Sequence, residues 1–325
     1  MSYFSRNAGP LRGIIVPMVT PLSEADELDV AGLERLVDRL LGGGVHGLFV
    51  LGTCGEGPSL SGRLQREVID RTCRQTAGRV PVLVGATHPS AAETAALAAQ
   101  AANAGADAIV TAAPFYFPLT QAELVDYVDR VAGASPLPVM LYNMPALTKV
   151  TFEPATVARL KDDRRIVGLK DSGGDMGYFR SVRAVTRDRD DWTLLVGPEH
   201  LLAESIEAGG DGGVSGAANV LPRLLVQLYE AARAGFPDEL AAFESDVARL
   251  SHIYAVASPG GSTPASVVKG LKAALGLLGV CRPAVAPPLA PLDAGEREQV
   301  KQILQRLAAA ETASLSSDLH VQTQQ

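Results

Sequence analysis

Three cysteines in 325 residues, Cys54, Cys73 and Cys281, are too few and too far apart for a disulfide framework or a zinc knuckle. The five histidines, His46, His88, His200, His252 and His320, never recur at metal-ligand spacing, so no metal is expected. No apolar run approaches the roughly 20 residues that a membrane-spanning helix needs. Residues 1–11 carry neither an apolar signal core nor an Arg-rich amphipathic pattern, so no targeting peptide is expected. Positive charge is in deficit as well: 29 Lys and Arg against 36 Asp and Glu leave a formal charge of −7. The basic residues are scattered rather than clustered, which excludes a nucleic-acid or anionic-membrane surface. Any anionic substrate must therefore be held by local donors. These absences describe a cytoplasmic protein whose partners are small molecules and which works without a cofactor.

Apolar residues, by contrast, are plentiful at 47%, with 20% charged, enough for a large core. They fall into short, unalternated runs: 14–16, 47–50, 80–84, 108–110, 139–142, 166–169, 194–196 and 213–215. Runs of this kind fit strands buried on both faces, as in a parallel sheet. Between them lie helical stripes such as Val30, Leu33, Val37, Leu40 and Leu41, or Leu124, Tyr127, Val128 and Val131. Small-residue stops close several of these helices, at 42–44, 104–105, 209–210 and 234–235. Eight strands, each followed by a helix, predict a (β/α)8 TIM barrel over residues 11–235. The competing doubly wound sheet lacks its signature, since no G-x-G-x-x-G follows the first strand. Beyond Gly235 only helical patterns remain, near 238–257, 264–278 and 294–312. They predict a helical extension over 236–313 packed on the barrel, with 314–325 a disordered polar tail.

A barrel of this type works at the C-terminal ends of its strands. Those ends read Thr53-Cys54-Gly55-Glu56, Pro114-Phe115-Tyr116, Tyr142-Asn143-Met144-Pro145, Lys170-Asp171-Ser172, Gly197-Pro198-Glu199 and Ser215-Gly216. Lys170 stands out because it directly follows a buried run. Burial disfavours an ammonium, and a neutral amine attacks a carbonyl to form an imine. The plainer reading pairs Lys170 with Asp171 or another carboxylate, or lets it reach the rim. Tyr142 and Tyr116 supply phenols that pass protons, and Thr53 can link them by hydrogen bonds; both tyrosines can equally be packing residues. The glycines at 52, 55 and 57 allow backbone amides to approach a carboxylate. Glu56 either anchors its loop or touches substrate. A serine hydrolase is excluded by the lack of a G-x-S-x-G elbow.

Four of these segments, in order and in register, resemble the family of dihydrodipicolinate synthase and N-acetylneuraminate lyase. They are Gly52-Thr53-Cys54-Gly55-Glu56, Pro114-Phe115-Tyr116, Tyr142-Asn143-Met144-Pro145 with Thr148 beyond, and Gly168-Leu169-Lys170-Asp171. The resemblance spans about residues 11–312. It implies a Schiff-base-forming class I aldolase in which Lys170 carries the imine of a 2-oxo acid, pyruvate in the family. Tyr142 would be the proton-transfer phenol, and Thr53 and Tyr116 would complete a hydroxyl relay. Tyr116 would be lent across a tight dimer, two of which make a homotetramer.

The departures concern the substrate. Cys54, a weak donor, stands where the family has a second hydroxyl donor for the pyruvate carboxylate, leaving that role to the amides of Cys54 and Gly55. Leu147 occupies the place of the arginine that in dihydrodipicolinate synthases grips aspartate semialdehyde, and Lys149 replaces the usual glycine after the threonine. Glu199 falls near an acidic residue of the sialic-acid lyases, with Ser215 beside it, while Gly216 and Ala217 replace hydroxyls. The expectation is reversible aldol cleavage of a keto-deoxy or sialic-acid-like 2-oxo acid to pyruvate and an aldehyde. The alternatives are 4-hydroxy-tetrahydrodipicolinate synthesis, or dehydration of a keto-deoxy sugar acid on the same imine.

Overall fold

The computed structural model describes Phe4 and residues 9–257 and 263–322, those from 309 onward by backbone alone. The eight apolar runs form eight strands: β1 (Gly13–Pro17), β2 (Gly47–Val50), β3 (Val82–Gly85), β4 (Ala108–Ala112), β5 (Val139–Asn143), β6 (Ile166–Asp171), β7 (Thr193–Val196) and β8 (Gly212–Val214). Every pairing is parallel. β1 pairs with β8 through Ile15 and Val214, and with β2 through Ile15 and Gly47, so the sheet closes into the expected barrel. The third strand begins later than its apolar run because Pro81 has no N–H for the ladder; its carbonyl instead accepts from the Leu48 N–H at 2.9 Å.

Alternation sorts the side chains into two cores. Ile15, Phe49, Leu83, Val110, Met140, Leu195 and Val214 fill the barrel interior. Their neighbours Ile14, Val16, Leu48, Val50, Val84 and Leu141 face the helices. That double burial is why the strands read as unbroken apolar runs. The helices follow in turn: α1 (Val30–Gly42), α2 (Gly62–Thr76), α3 (Ala91–Ala104), α4 (Gln121–Ala134), α5 (Pro154–Leu160), α6 (Met176–Thr186), α7 (Leu202–Glu207) and α8 (Pro222–Ala234). Side-chain caps start several of them: Ser61, Ser90, Asp175, and Thr120 in a reciprocal box with Glu123. Two features had no sequence signal that we read, a small ribbon pairing Leu22–Glu24 with Glu27–Leu28 and a single helical turn at Pro145–Thr148.

The C-terminal helices are α9 (Pro237–Ser251), α10 (Pro264–Leu277) and α11 (Ala294–Gln322). The pattern near 238–257 breaks at Ser251 into a tighter turn, His252–Tyr254, which carries Tyr254 back to the barrel. Residues 314–322, expected in a disordered tail, continue the backbone of α11, and 323–325 lie outside the described residues. Val247, Leu250, Ile253, Leu271 and Ala274 join the barrel's outer core. Among the described residues no helix is long and apolar enough to cross a membrane.

One buried ion pair ties this extension to the barrel mouth. Lys272 of α10, with none of its surface exposed, meets the buried carboxylate of Glu56 in the loop after β2. The other Glu56 oxygen accepts from the Ala286 N–H at 2.6 Å. Burial pulls the Lys272 ammonium below its ordinary pKa, and the Glu56 carboxylate opposes that shift. Apart from Glu56, Lys272 has no acceptor among the described residues. Removing one partner strands the other charge, so Lys272→Met is expected to destabilise the fold by roughly 3–5 kcal/mol in urea unfolding, with Glu56→Gln/Lys272→Met recovering much of the loss. A single variant as stable as the parent would show the pair to be dispensable.

Candidate active site

β5 and β6 run parallel with Tyr142 opposite Lys170 and Asn143 opposite Asp171. Adjacent residues on a strand face opposite ways, so this register produces two pairs on two sides of the sheet. Tyr142 and Lys170 point into the barrel mouth. The Lys170 Nζ sits 3.9 Å from the centre of the Tyr142 ring and 5.3 Å from that of Phe49, and the lysine is only 5% exposed. Asn143 and Asp171 point outward, where the Asn143 Nδ2 donates to Asp171 Oδ1 at 2.8 Å. The Gly173 N–H donates to the same oxygen at 3.0 Å. Burial raises the Asp171 pKa, and these hydrogen bonds pull it back. Asp171 therefore braces the strand ends, and Lys170 makes no salt bridge with it.

The loop after β2 reaches the same point. Thr53 Oγ1 lies 3.2 Å from the Tyr142 hydroxyl, which joins the two into one hydroxyl path beside the amine. Glycine allows close backbone packing here: a Cβ on Gly57 of the loop would sit 2.1 Å from the Leu51 carbonyl oxygen, and one on Gly85, at the end of β3, 2.4 Å from it. The amides of Cys54 and Gly55 donate to no other described residue, which leaves two N–H groups for a carboxylate. Glu56 anchors this loop, as described for its pair with Lys272.

Lys170 opens into a cavity of about 700 Å³ that it lines with Thr53, Cys54, Tyr142, Glu199 and Tyr254. A second cavity of about 390 Å³, on the far side of Tyr142, is lined by Phe49, Phe115, Leu147 and Thr148. Leu147 is thus near the site but faces the smaller space, 46% exposed. The Lys149 Nζ turns back to donate to the Ala146 carbonyl at 2.8 Å and lines neither cavity. Ser215 is buried with its hydroxyl unpartnered among the described residues, and it too lines neither; Gly216 takes that wall instead. Glu199 Oε1 accepts from the Ala217 N–H at 2.8 Å and from the Tyr254 hydroxyl at 3.1 Å. Burial and this carboxylate raise the Tyr254 pKa well above the ordinary phenol value.

Tyr116 stands apart. It is 85% exposed with a φ of 91°, a backbone region that costs a tyrosine about 1–3 kcal/mol, and its ring packs edge-on against Phe117 at 5.0 Å. Within one chain it touches neither Tyr142 nor Thr53. Tyr254 and Lys272 escaped sequence reading because both lie within ordinary helical patterns far along the chain; only the fold places them at the mouth.

A model of the dihydrodipicolinate synthetase family matches residues 10–307, covering the barrel and most of the extension. The chain belongs to the dihydrodipicolinate synthetase family. It is 35% identical to the putative 2-dehydro-3-deoxy-D-gluconate aldolase YagE of Escherichia coli, across 91% of this chain and 96% of that one. A dihydrodipicolinate synthase structure from Bacteroides thetaiotaomicron superposes with a TM-score of 0.87 at 45% identity, covering 92% of this chain and 99% of that one. YagE in complex with pyruvate gives 0.84 at 35% identity, covering 91% and 98%. The chain is accordingly a lyase of the class I aldolase kind.

Cys54 departs from the family pattern, and its surroundings set its chemistry. Burial pushes the thiol up to about 12, with Glu199 and Glu56 adding to the shift and the Lys170 charge opposing it. Burial raises Cys73 to about 12 and Cys281 to about 11 as well. A free thiol is roughly a quarter ionised at pH 8, whereas a group at about 12 is ionised on the order of one part in 10⁴. A disulfide reagent at pH 8 should therefore leave all three thiols of the folded protein largely unreacted, and all three should react after unfolding in guanidinium. Rapid labelling of Cys54 in the folded state would contradict this.

Proposed function

We propose that the chain catalyses reversible aldol cleavage of a keto-deoxy or sialic-acid-like 2-oxo acid in the cytoplasm. Pyruvate is held as an imine on Lys170, and a neutral hydroxy-aldehyde is the other product. The observation that carries the choice of acceptor is the lining of the larger cavity. It holds Ser172, Glu199, His200, Ser251, His252 and Tyr254, and among the described residues Lys170 is its sole Lys or Arg. Once that amine carries the iminium, its charge is matched by the pyruvate carboxylate, and among the described residues no other Lys or Arg lines the cavity to hold a second carboxylate, whereas hydroxyl-rich aldehydes find donors and acceptors.

The chemistry follows from the placement of the groups. The Lys170 amine adds to the pyruvate carbonyl, and the carbinolamine loses water to give the imine. Tyr142, hydrogen-bonded to Thr53, carries protons to and from the departing oxygen. The amides of Cys54 and Gly55 receive the carboxylate. In the cleavage direction the amine forms the same imine on the 2-oxo carbon of the substrate, and the imine is protonated. A base takes the proton of the acceptor-side hydroxyl, and the carbon–carbon bond breaks with its electrons flowing into the iminium, which gives the neutral enamine and the free aldehyde. Protonation of the enamine carbon and hydrolysis return pyruvate and Lys170. The aldolase name of YagE and its pyruvate complex support this reading.

A second reading, synthesis of 4-hydroxy-tetrahydrodipicolinate from pyruvate and aspartate semialdehyde, draws on the 45% identity to the Bacteroides synthase. It needs a donor for the semialdehyde carboxylate, and Leu147 offers none. One experiment addresses both. Borohydride with pyruvate should add a single reduced pyruvyl group on Lys170, absent in Lys170→Ala, and Tyr142→Phe should lower kcat by roughly 10²–10⁴-fold. In condensation, kcat/KM for glyceraldehyde should exceed that for aspartate semialdehyde by about tenfold or more, the worth of a missing charge-assisted bond. An adduct persisting in Lys170→Ala would sink the imine assignment. Aspartate semialdehyde as the best acceptor would favour the synthase.

The exposure and backbone strain of Tyr116 support its role in an assembly. We place it in the active site of a second copy, within a homotetramer built from tight dimers; Phe115 and Phe117 give that contact apolar area. Sedimentation should show a tetramer. Mixing inactive Lys170→Ala with inactive Tyr116→Phe and allowing subunits to exchange should restore turnover, because one mixed site then holds both intact groups. A fully active monomer, or no regain in mixed oligomers, would refute the exchange.

A further inference from the structure

At the floor of the barrel, opposite the Lys170 mouth, three arginines line one small space. Arg12 enters just before β1, Arg183 lies in the last turn of α6, and Arg233 in the last turn of α8. Together with Asp211, Tyr229 and Gly209 they line a surface pocket of about 290 Å³, in which Arg12 and Arg233 are exposed. The single carboxylate in that lining is already engaged: Asp211 Oδ2 accepts from the Leu194 N–H at 2.9 Å, and Oδ1 receives a long 3.4 Å contact from Arg12. Glu230 at the edge sits 3.9 Å from the His46 Nε2. Arg233 lies with its guanidinium carbon 5.6 Å from the Tyr229 ring centre.

Arg183 is half-buried, and its guanidinium makes no hydrogen bond or close ion pair among the described residues, although its charge, with that of Arg12, acts on the Asp211 carboxylate against the effect of burial. Gly209, at φ +86°, leaves the room it occupies, since a Cβ there would lie 3.2 Å from the Arg183 Nε. Helix dipoles favour a cation in a last turn, which explains one arginine on each of α6 and α8. They do not explain why both, with Arg12, converge on one polar pocket in a chain of net charge −7, where three like charges repel.

We infer that this pocket binds a phosphate-class oxyanion, either inorganic phosphate or the phosphoryl group of a small metabolite. Planar guanidinium forks match tetrahedral oxyanions in pairs, and an anion here relieves the repulsion. The site is separate from the aldol chemistry and does not depend on the reading of that chemistry.

Titration calorimetry of the full chain with inorganic phosphate at constant ionic strength should show saturable binding at one site per chain, with Tm rising in parallel. Arg183→Met and Arg233→Gln should each weaken binding by about tenfold or more, one charge-assisted bond converted at 1.4 kcal/mol per decade. Aldol turnover without phosphate should stay unchanged in both. Arg12→Gln, at the most open wall, gives the same readout should either of the other variants fail to fold. A sugar phosphate binding more tightly than inorganic phosphate assigns the site to a metabolite, and the reverse order assigns it to the free ion. Absence of saturable binding, unchanged affinity in the variants, or an equal response to acetate at matched ionic strength would overturn the proposal. A purely structural role would lower Tm equally with and without phosphate, and that result would overturn it too.

Discussion

Parallel register between two neighbouring strands organises the whole mouth of this barrel. Because Tyr142 faces Lys170 across the β5–β6 ladder, strand alternation forces both inward and sends Asn143 and Asp171 outward together. The inward pair places an amine over a phenol ring at 3.9 Å; the outward pair makes a hydrogen bond at 2.8 Å that braces the loops on which substrate groups sit. A slip of one residue would exchange the two pairs. The amine would then face the helices and the carboxylate the cavity. Barrel closure, which leaves no free edge, makes such a slip disrupt every other strand pairing as well.

The mouth is finished by a part of the chain that contributes no strand. Two carboxylates on βα loops reach out to the C-terminal extension: Glu56 to Lys272, and Glu199 to Tyr254. The first contact is fully buried and so intolerant of a missing partner, and the second is half-buried, with Tyr254 itself buried. Through them the extension walls the larger cavity on the side away from β5, and it brings Ser251 and His252 to a space that the barrel alone would leave open. Under the proposed function, the catalytic groups and the acceptor-facing groups would thus come from different parts of the chain, which would allow the acceptor to vary while the imine chemistry stays fixed.

The two ends of the barrel differ in electrostatic character. At the mouth Lys170 is, among the described residues, the sole Lys or Arg of the larger cavity, held beside aromatic faces. At the floor three arginines share a small polar pocket. An overall charge of −7 conceals this asymmetry, because local arrangement, not net charge, decides where an anion is held.

The barrel itself was legible in the residues. Doubly buried strands leave unalternated apolar runs, and helices leave 3.6-residue stripes with small-residue stops, so strand number, order and most boundaries followed from pattern alone. Lys170 and Tyr142 stand out as polar residues at the ends of buried runs, but pattern alone leaves their roles open and only the family resemblance singles them out. From its strand end Thr53 reads as a hydroxyl able to link Tyr142 and Tyr116; within one chain it lies 3.2 Å from the Tyr142 hydroxyl and not beside Tyr116. Other features needed the folded chain. Ser215 and Leu147 sit at promising strand ends, yet neither lines the cavity that holds Lys170, because side-chain direction at a loop depends on backbone turns that composition does not encode. Lys272, Tyr254, Arg183 and Arg233 lie in ordinary helical stretches and Arg12 just ahead of the first strand, and their meaning comes from partners as many as 216 residues away, as with Glu56 and Lys272 (272 − 56). Sequence pattern records local periodicity and burial; which distant groups share a cavity is decided only when the sheet closes and the last helices pack across it.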